Sequence, residues 1–312
     1  IKKKMRNTFA DQITKLARYD KDIVLLSGDI GNRMFDKFKD IADERFINCG
    51  IAEGNMMSLA SGLALAGMKP YVYTITPFIT TRCLEQIKIG AAYHNSNITI
   101  IGTGSGLSYA ELGPTHHSLE DMGILNCIPN IRILAPCDSI ELRSQLIQIN
   151  LLSGPTYIRI GKKGEPDLIK DSSLLEIGKA NILREGDEIL LVGIGPILKE
   201  AIDAADVLSE EHGIEMCVVS LGGISPIDIS FLQRMLDKGF KRLVTLEEHG
   251  LSGGLASTLN NWLISSQNEY KIKILNLFTK NQFINNLGNQ NYIRNLLGLD
   301  CKGIVSRILK CL

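Results

Sequence analysis

The chain's 312 residues leave room for about two domains at roughly 150 residues each. With 45% apolar and 22% charged residues it can fill sizeable cores and is not a disordered polymer. Its 34 basic and 34 acidic side chains cancel, which argues against a dedicated binder of nucleic acid or anionic membranes.

The N-terminus carries a basic run, Lys2-Lys3-Lys4, but polar Arg6-Asn7-Thr8 follows where a secretory signal would place its apolar core. The first residue is Ile1 rather than Met, which reads as a trimmed end. No stretch reaches the roughly 18 consecutive apolar residues that a bilayer span needs. Downstream, short β-branched runs alternate with longer helical periods. Strands are expected at 23–26, 71–75, 98–101, 131–134 and 156–160, and helices over 54–66 and 82–93. The strands are apolar without strict alternation, as expected when helices cover both faces of a largely parallel sheet. The fold class is therefore α/β. Glycine, proline and charge interrupt the pattern from Gly161 to Asp167 and mark a connection, with domains at 1–165 and 179–312 and a linker at 166–178. Beyond it, strands at 188–192, 215–219 and 242–246 alternate with helices near 197–211, 228–238 and 253–265. Seven cysteines (Cys49, Cys83, Cys127, Cys137, Cys217, Cys301 and Cys311) form no CxxC, so reduced thiols in a cytoplasm fit better than disulfides or zinc.

Several local patterns could carry chemistry, and each also has an ordinary structural reading. Gly102-Thr-Gly104-Ser-Gly106 and Gly193-Ile-Gly195 follow strands, yet Leu107 and Pro196 interrupt a dinucleotide-type turn, and tight strand-to-helix turns explain them as well. Glu53 opens a helix rich in small residues, where an acid commonly complements the helix N-terminus. Phe78 and Arg82 are four residues apart and share a face if that segment is helical; the usual roles would be core aromatic and structural partner. Ser118-x-x-Asp121 reads as a capping box, placing His116 and His117 in the loop before a helix. Adjacent histidines rarely face one ion and no third ligand is visible, so no metal site is expected; an imidazole there suits acid–base work.

Taken together these segments resemble the transketolase superfamily of thiamine diphosphate enzymes, in its pyrimidine-binding domain followed by its C-terminal domain. The landmarks are Ser27-Gly28-Asp29, Gly50-Ile-Ala-Glu53, Phe78 with Arg82 and Gln86, and Gly113-Pro-Thr-His116. Further on come Ile128-Pro129-Asn130, Pro155-Thr-Tyr-Ile-Arg159, Thr245-Leu-Glu-Glu-His249 and Gly253-Gly254. The resemblance implies that Glu53 hydrogen-bonds the cofactor's aminopyrimidine and promotes the tautomer that activates its thiazolium. It implies that Phe78 stacks on the pyrimidine, that Asp29 and Arg82 lie at the cofactor, and that His116 contacts substrate oxygens. His117 stands where relatives often carry Gln, and Lys162 where many carry a phosphate-binding Arg, so both are candidate substrate contacts. Lys keeps the charge but loses the bidentate fork. These departures leave room for a sugar other than a simple pentose phosphate, including one linked to a nucleotide.

The resemblance also implies a missing half. Full-length relatives bind the diphosphate and Mg2+ (or Ca2+) through a GDG…N domain that Gly28-Asp29-Ile30-Gly31 does not reproduce. The expectation is a split transketolase whose partner subunit supplies that domain, in an α2β2 heterotetramer acting on small sugars. Within the same cofactor class, a 2-oxo acid dehydrogenase E1 β subunit and a deoxyxylulose-phosphate-synthase-like carboligase are alternatives. A silent α/β binding or electron-transfer module is the alternative from another class.

Overall fold

The computed structural model describes residues 5–31, 33–162, 164–171, 175–266 and 270–312. The basic N-terminal run and Lys163 lie outside the described residues.

The first sheet contains β1 (Ile23–Ser27), β2 (Phe46–Asn48), β3 (Lys69–Ile75), β4 (Thr99–Thr103), β5 (Arg132–Leu134) and β6 (Thr156–Ile160). The second contains β7 (Asn181–Arg184), β8 (Ile189–Gly193), β9 (Met216–Ser220), β11 (Arg242–Gly250) and β12 (Lys273–Thr279), while β10 (Gly223–Ser225) belongs to the first. The strand orders are β10-β5-β6-β4-β3-β1-β2 and β12-β11-β8-β9-β7. Every pairing is parallel except β10 with β5 and β7 with β9. Both units are thus α/β with mostly parallel sheets. The chain's second half lends the first sheet an edge strand, pairing Gly223 with Leu134 and Ser225 with Ile133.

The helices are α1 (Met5–Tyr19), α2 (Asp36–Ala42), α3 (Glu53–Leu65), α4 (Thr76–Ile79), α5 (Leu84–Gln86), α6 (Asp121–Asn126) and α7 (Ser139–Ile149). In the second half they are α8 (Leu198–His212), α9 (Ile229–Asp237), α10 (Leu255–Ser265), α11 (Gln290–Leu297) and α12 (Cys301–Leu309). Period-two geometry sends Ile23 and Leu25 of β1 to one core and Val24 and Leu26 to another, which is why this strand is apolar throughout. Helix α1 aligns Met5, Phe9, Ile13 and Ala17 at four-residue spacing, all fully buried, and Phe9 stacks on Tyr73 at 5.4 Å.

The expected capping box does not form. Helix α6 starts at Asp121 with Glu120 at its N-cap and no side-chain cap bond. Asp121 is instead buried against Arg159, 3.0 Å away, and accepts from the Tyr157 hydroxyl at 2.5 Å. A true cap stands at Asp138, fully buried, which accepts from Ile140 and Glu141 N–H at the start of α7. Its other oxygen accepts from Leu168 and Ile169 N–H in the connection between the two halves. Asp138→Ala strands four donors, and we expect a loss of about 3 kcal/mol, read from the urea midpoint at unchanged m-value.

Candidate functional site

The candidate residues lie on the connections that follow β1, β2, β3, β4 and β6, the side of an open parallel sheet on which ligands gather. Glu53 is the first residue of α3, and its side chain is 3% exposed. Arg82 Nη1 donates to Glu53 Oε2 at 2.6 Å, so the acid is not the solvent-facing helix complement of its ordinary reading. The segment after β3 is irregular: α4, a 3-10 turn at Thr81–Cys83, α5, then a π-helical run at Ile87–Tyr93. That winding brings the Arg82 guanidinium over the half-buried Phe78 ring, 4.4 Å from its centroid. Beside the pair, Cys83 is packed away from water near Glu53, and its thiol is pushed up to about 12. It is no nucleophile at neutral pH.

His116 meets Phe78 edge to face, ring centroids 5.3 Å apart, and lies 5.9 Å from the Tyr109 ring. Its Nδ1 is 2.9 Å from the Thr115 hydroxyl. Burial first, then the neighbouring His117 and Lys162, hold its imidazole below the ordinary 6.5. It is therefore mostly neutral at pH 7, one nitrogen able to donate and the other to accept. Lys162 Nζ sits 3.6 Å above the Tyr109 ring, and the Arg6 charge on α1 acts on the same tyrosine. A contact chain thus runs Glu53, Arg82, Phe78, His116, Tyr109 and Lys162. It ends in two cations.

Two candidates stand apart from this chain. Asp29 is exposed at the end of β1 with φ 56° and accepts from Asn48 Nδ2 at 2.9 Å. His117 is buried, its Nε2 3.3 Å from the Ala110 carbonyl. There it lines a cleft of about 450 Å³ with Glu120, Lys280 and Phe283. The structure thus brings His116 to the cofactor-type residues and leaves His117 between loop and second domain. Arg6, Tyr109 and Thr115 were not singled out in the sequence. No local sequence signal marks Tyr109; in the structure a Cβ on Gly104 would run into its ring, so the glycine turn is filled by an aromatic rather than left open for a phosphate. Among the described residues, no group of three or more His, Cys, Asp or Glu is placed to hold a metal ion, and no helix is long and apolar enough to cross a membrane.

Comparison with known proteins identifies both halves of the chain. Residues 2–165 match the transketolase pyrimidine binding domain and residues 178–304 the transketolase C-terminal domain. The chain is 32% identical over 307 residues to a subunit of the apulose-4-phosphate transketolase of Phocaeicola vulgatus, covering 98% of this chain and 96% of that one. It is 30% identical over 302 residues to the 6-deoxy-6-sulfo-D-fructose transketolase subunit SqwH of Clostridium sp. strain MSTE9, covering 96% and 92%. Among solved structures, a split gene transketolase described as an inactive β4 tetramer superposes with a TM-score of 0.87 at 28% identity, covering 98% of this chain and 97% of that one. From its two matched domains and near-complete alignment with transketolase subunits, the chain belongs to the transketolase family.

Proposed function

We propose that this chain is the pyrimidine-binding half of a split transketolase, moving a two-carbon ketol unit from a ketose to an aldehyde with thiamine diphosphate. In this reading residues 1–165 form the pyrimidine-binding domain, 166–178 the connection and 179–312 the C-terminal domain. The observation that carries it is the buried Glu53 carboxyl, linked through the Arg82 guanidinium to the Phe78 ring, which His116 meets in turn. One Glu53 oxygen is taken by Arg82, whose guanidinium also lies over the half-buried Phe78 ring; a buried carboxyl and a ring held by one arginine suit an aminopyrimidine. When bound, the cofactor supplies a carbon nucleophile that carries the ketol unit.

The remaining work falls to the chain's own side chains. Glu53 would hold or release a proton at its carboxyl towards the cofactor's aminopyrimidine, and Arg82 holds that carboxyl in one orientation. Phe78 presents its ring, with Asp29 at the outer edge. The neutral His116 donates to a sugar oxygen as charge develops on it, oriented by Thr115. Lys162 and Arg6 face the far end of the substrate. Both named relatives act on sugars bearing an acidic group, a phosphate in one and a sulfo group in the other. We therefore assign to this pair a sugar with an anionic end.

In the same reading Mg2+ (or Ca2+) and the diphosphate are held by a partner subunit in an α2β2 assembly. The docking face is the exposed apolar side next to Glu53: Ile51, Leu59 and Leu65 with Ile89 and Tyr93. Its continuity with the half-built site is what selects the partner. All seven cysteines are free, which fits a reducing compartment, and we place the protein in the cytoplasm. Mixing the chain with the partner, cofactor and Mg2+ should give turnover of phosphorylated or sulfonated ketoses and little of neutral ones, without CO2 release. Full turnover by the chain alone would overturn the split-subunit reading, and CO2 from a 2-oxo acid donor would overturn ketol transfer.

A further inference from the structure

The loop that presents His116 is closed by a bridge of its own residues and fastened there by the second domain. Its two ends meet at the Gly106–Ser118 bridge, with Ser118 N–H donating to the Gly106 carbonyl at 3.0 Å. Into that closure comes Glu248 from β11, whose Oε2 accepts from Leu107 N–H at 3.2 Å. Gly106 has φ +60°, and a Cβ there would collide with the same oxygen, so the loop and the carboxylate are in direct contact. Glu248 is held in turn by α11: Arg294 Nε at 2.5 Å and Gln290 Nε2 at 3.2 Å. Arg294 also reaches Glu200, 3.4 Å away on α8. Arg159 Nη2 spans both parts, donating to the Ser118 and Glu248 carbonyls at 2.9 and 3.3 Å. Beneath the loop, Leu107 and Ala110 pack in one apolar cluster with Ile284 and Ile293.

We infer that Glu248 is a positioning residue for His116, through which the C-terminal domain orders the substrate-contacting loop. Among the described residues its side chain hydrogen-bonds Leu107, Gln290 and Arg294, so it acts on the site through Leu107 and the loop closure. The inference rests on reading His116 as the substrate contact, and it concerns how that contact is held. A buried carboxylate fixed by an arginine and an amide has one orientation, so the loop amide it accepts from has one position.

The test uses Glu248→Gln, which keeps the shape and removes the charge that fastens Leu107 and Arg294. In the 15N-histidine-labelled chain, the His116 titration midpoint should rise towards 6.5 as the loop loosens and wets it. The resonances of exposed His94 and His212 should stay in place. In the reconstituted enzyme, turnover should fall on the order of ten- to a hundred-fold, and the same substitution in a His116→Ala background should cost nothing more. If Glu248→Gln does not fold, Gln290→Ala removes one support of the carboxylate and should move His116 in the same direction by less. Unmoved His116 resonances, or losses that simply add in the His116→Ala background, would overturn the inference. The resonances are read on this chain alone, so an enzyme inactive with every ketose would sink the functional reading and leave this test standing.

Discussion

Glu53→Gln in the reconstituted enzyme is expected to lower ketol transfer by about 10²- to 10⁴-fold, the range for removing a positioned acid–base group. Gln has the shape of Glu and can still hydrogen-bond, but it cannot hold and release a proton. The fold should tolerate the change, because Arg82 is 47% exposed and stays solvated when its partner is neutralised. The measurement is kcat with a saturating ketose, alongside size-exclusion of the complex and the melting temperature. Arg82→Met separates orientation from proton transfer: the carboxyl remains, so turnover should fall by no more than about 10²-fold. A Glu53→Gln enzyme with parental kcat would remove the carboxyl from the mechanism. Loss of assembly in both variants would make the pair an interface element.

Most of the first sheet could be read from the sequence, because strands buried on both faces leave long β-branched runs such as 23–26, 98–101 and 156–160. What escaped were the edges. Strand β10 is only Gly223-Ile-Ser225, and no local pattern tells such a segment to pair with β5 in the other half of the chain. Strands β2, β7 and β12 are half-exposed and mixed in character, so periodicity alone does not separate them from loop. In the site, Glu53, Phe78, Arg82 and His116 stood out only as landmarks of the resemblance; each taken alone had an ordinary structural reading. The two adjacent histidines were told apart only by the resemblance, which singles out His116, since locally a loop can turn either one inwards. Arg6 is invisible locally because its partner Tyr109 is remote in sequence and meets it only once α1 packs on the sheet. The capping-box reading failed for an instructive reason. Local hydrogen-bonding preference placed Asp121 in a cap, but the buried cation on β6 took the same carboxylate, and tertiary charge pairing outweighs one capping bond.

That pairing sets the largest stability effect expected in the molecule. Arg159 and Asp121 are 5% and 1% exposed, so neither charge has water to fall back on. Arg159→Met leaves Asp121 with only the Tyr157 hydroxyl and should cost about 3–5 kcal/mol in urea unfolding. Asp121→Asn, leaving the guanidinium unpaired, should be comparably costly. The double variant removes both charges, and its loss should be smaller than either single one, since an apolar side chain and a neutral amide need no mutual compensation. Losses that merely add would show that the pair is not coupled and that each residue acts through other contacts. The chain alone suffices for this measurement. In the reconstituted enzyme the double variant should still be slow, because Arg159 also ties the Ser118 and Glu248 carbonyls together at the base of the His116 loop. Recovery of stability without recovery of turnover would separate what this arginine does for the fold from what it does for the site.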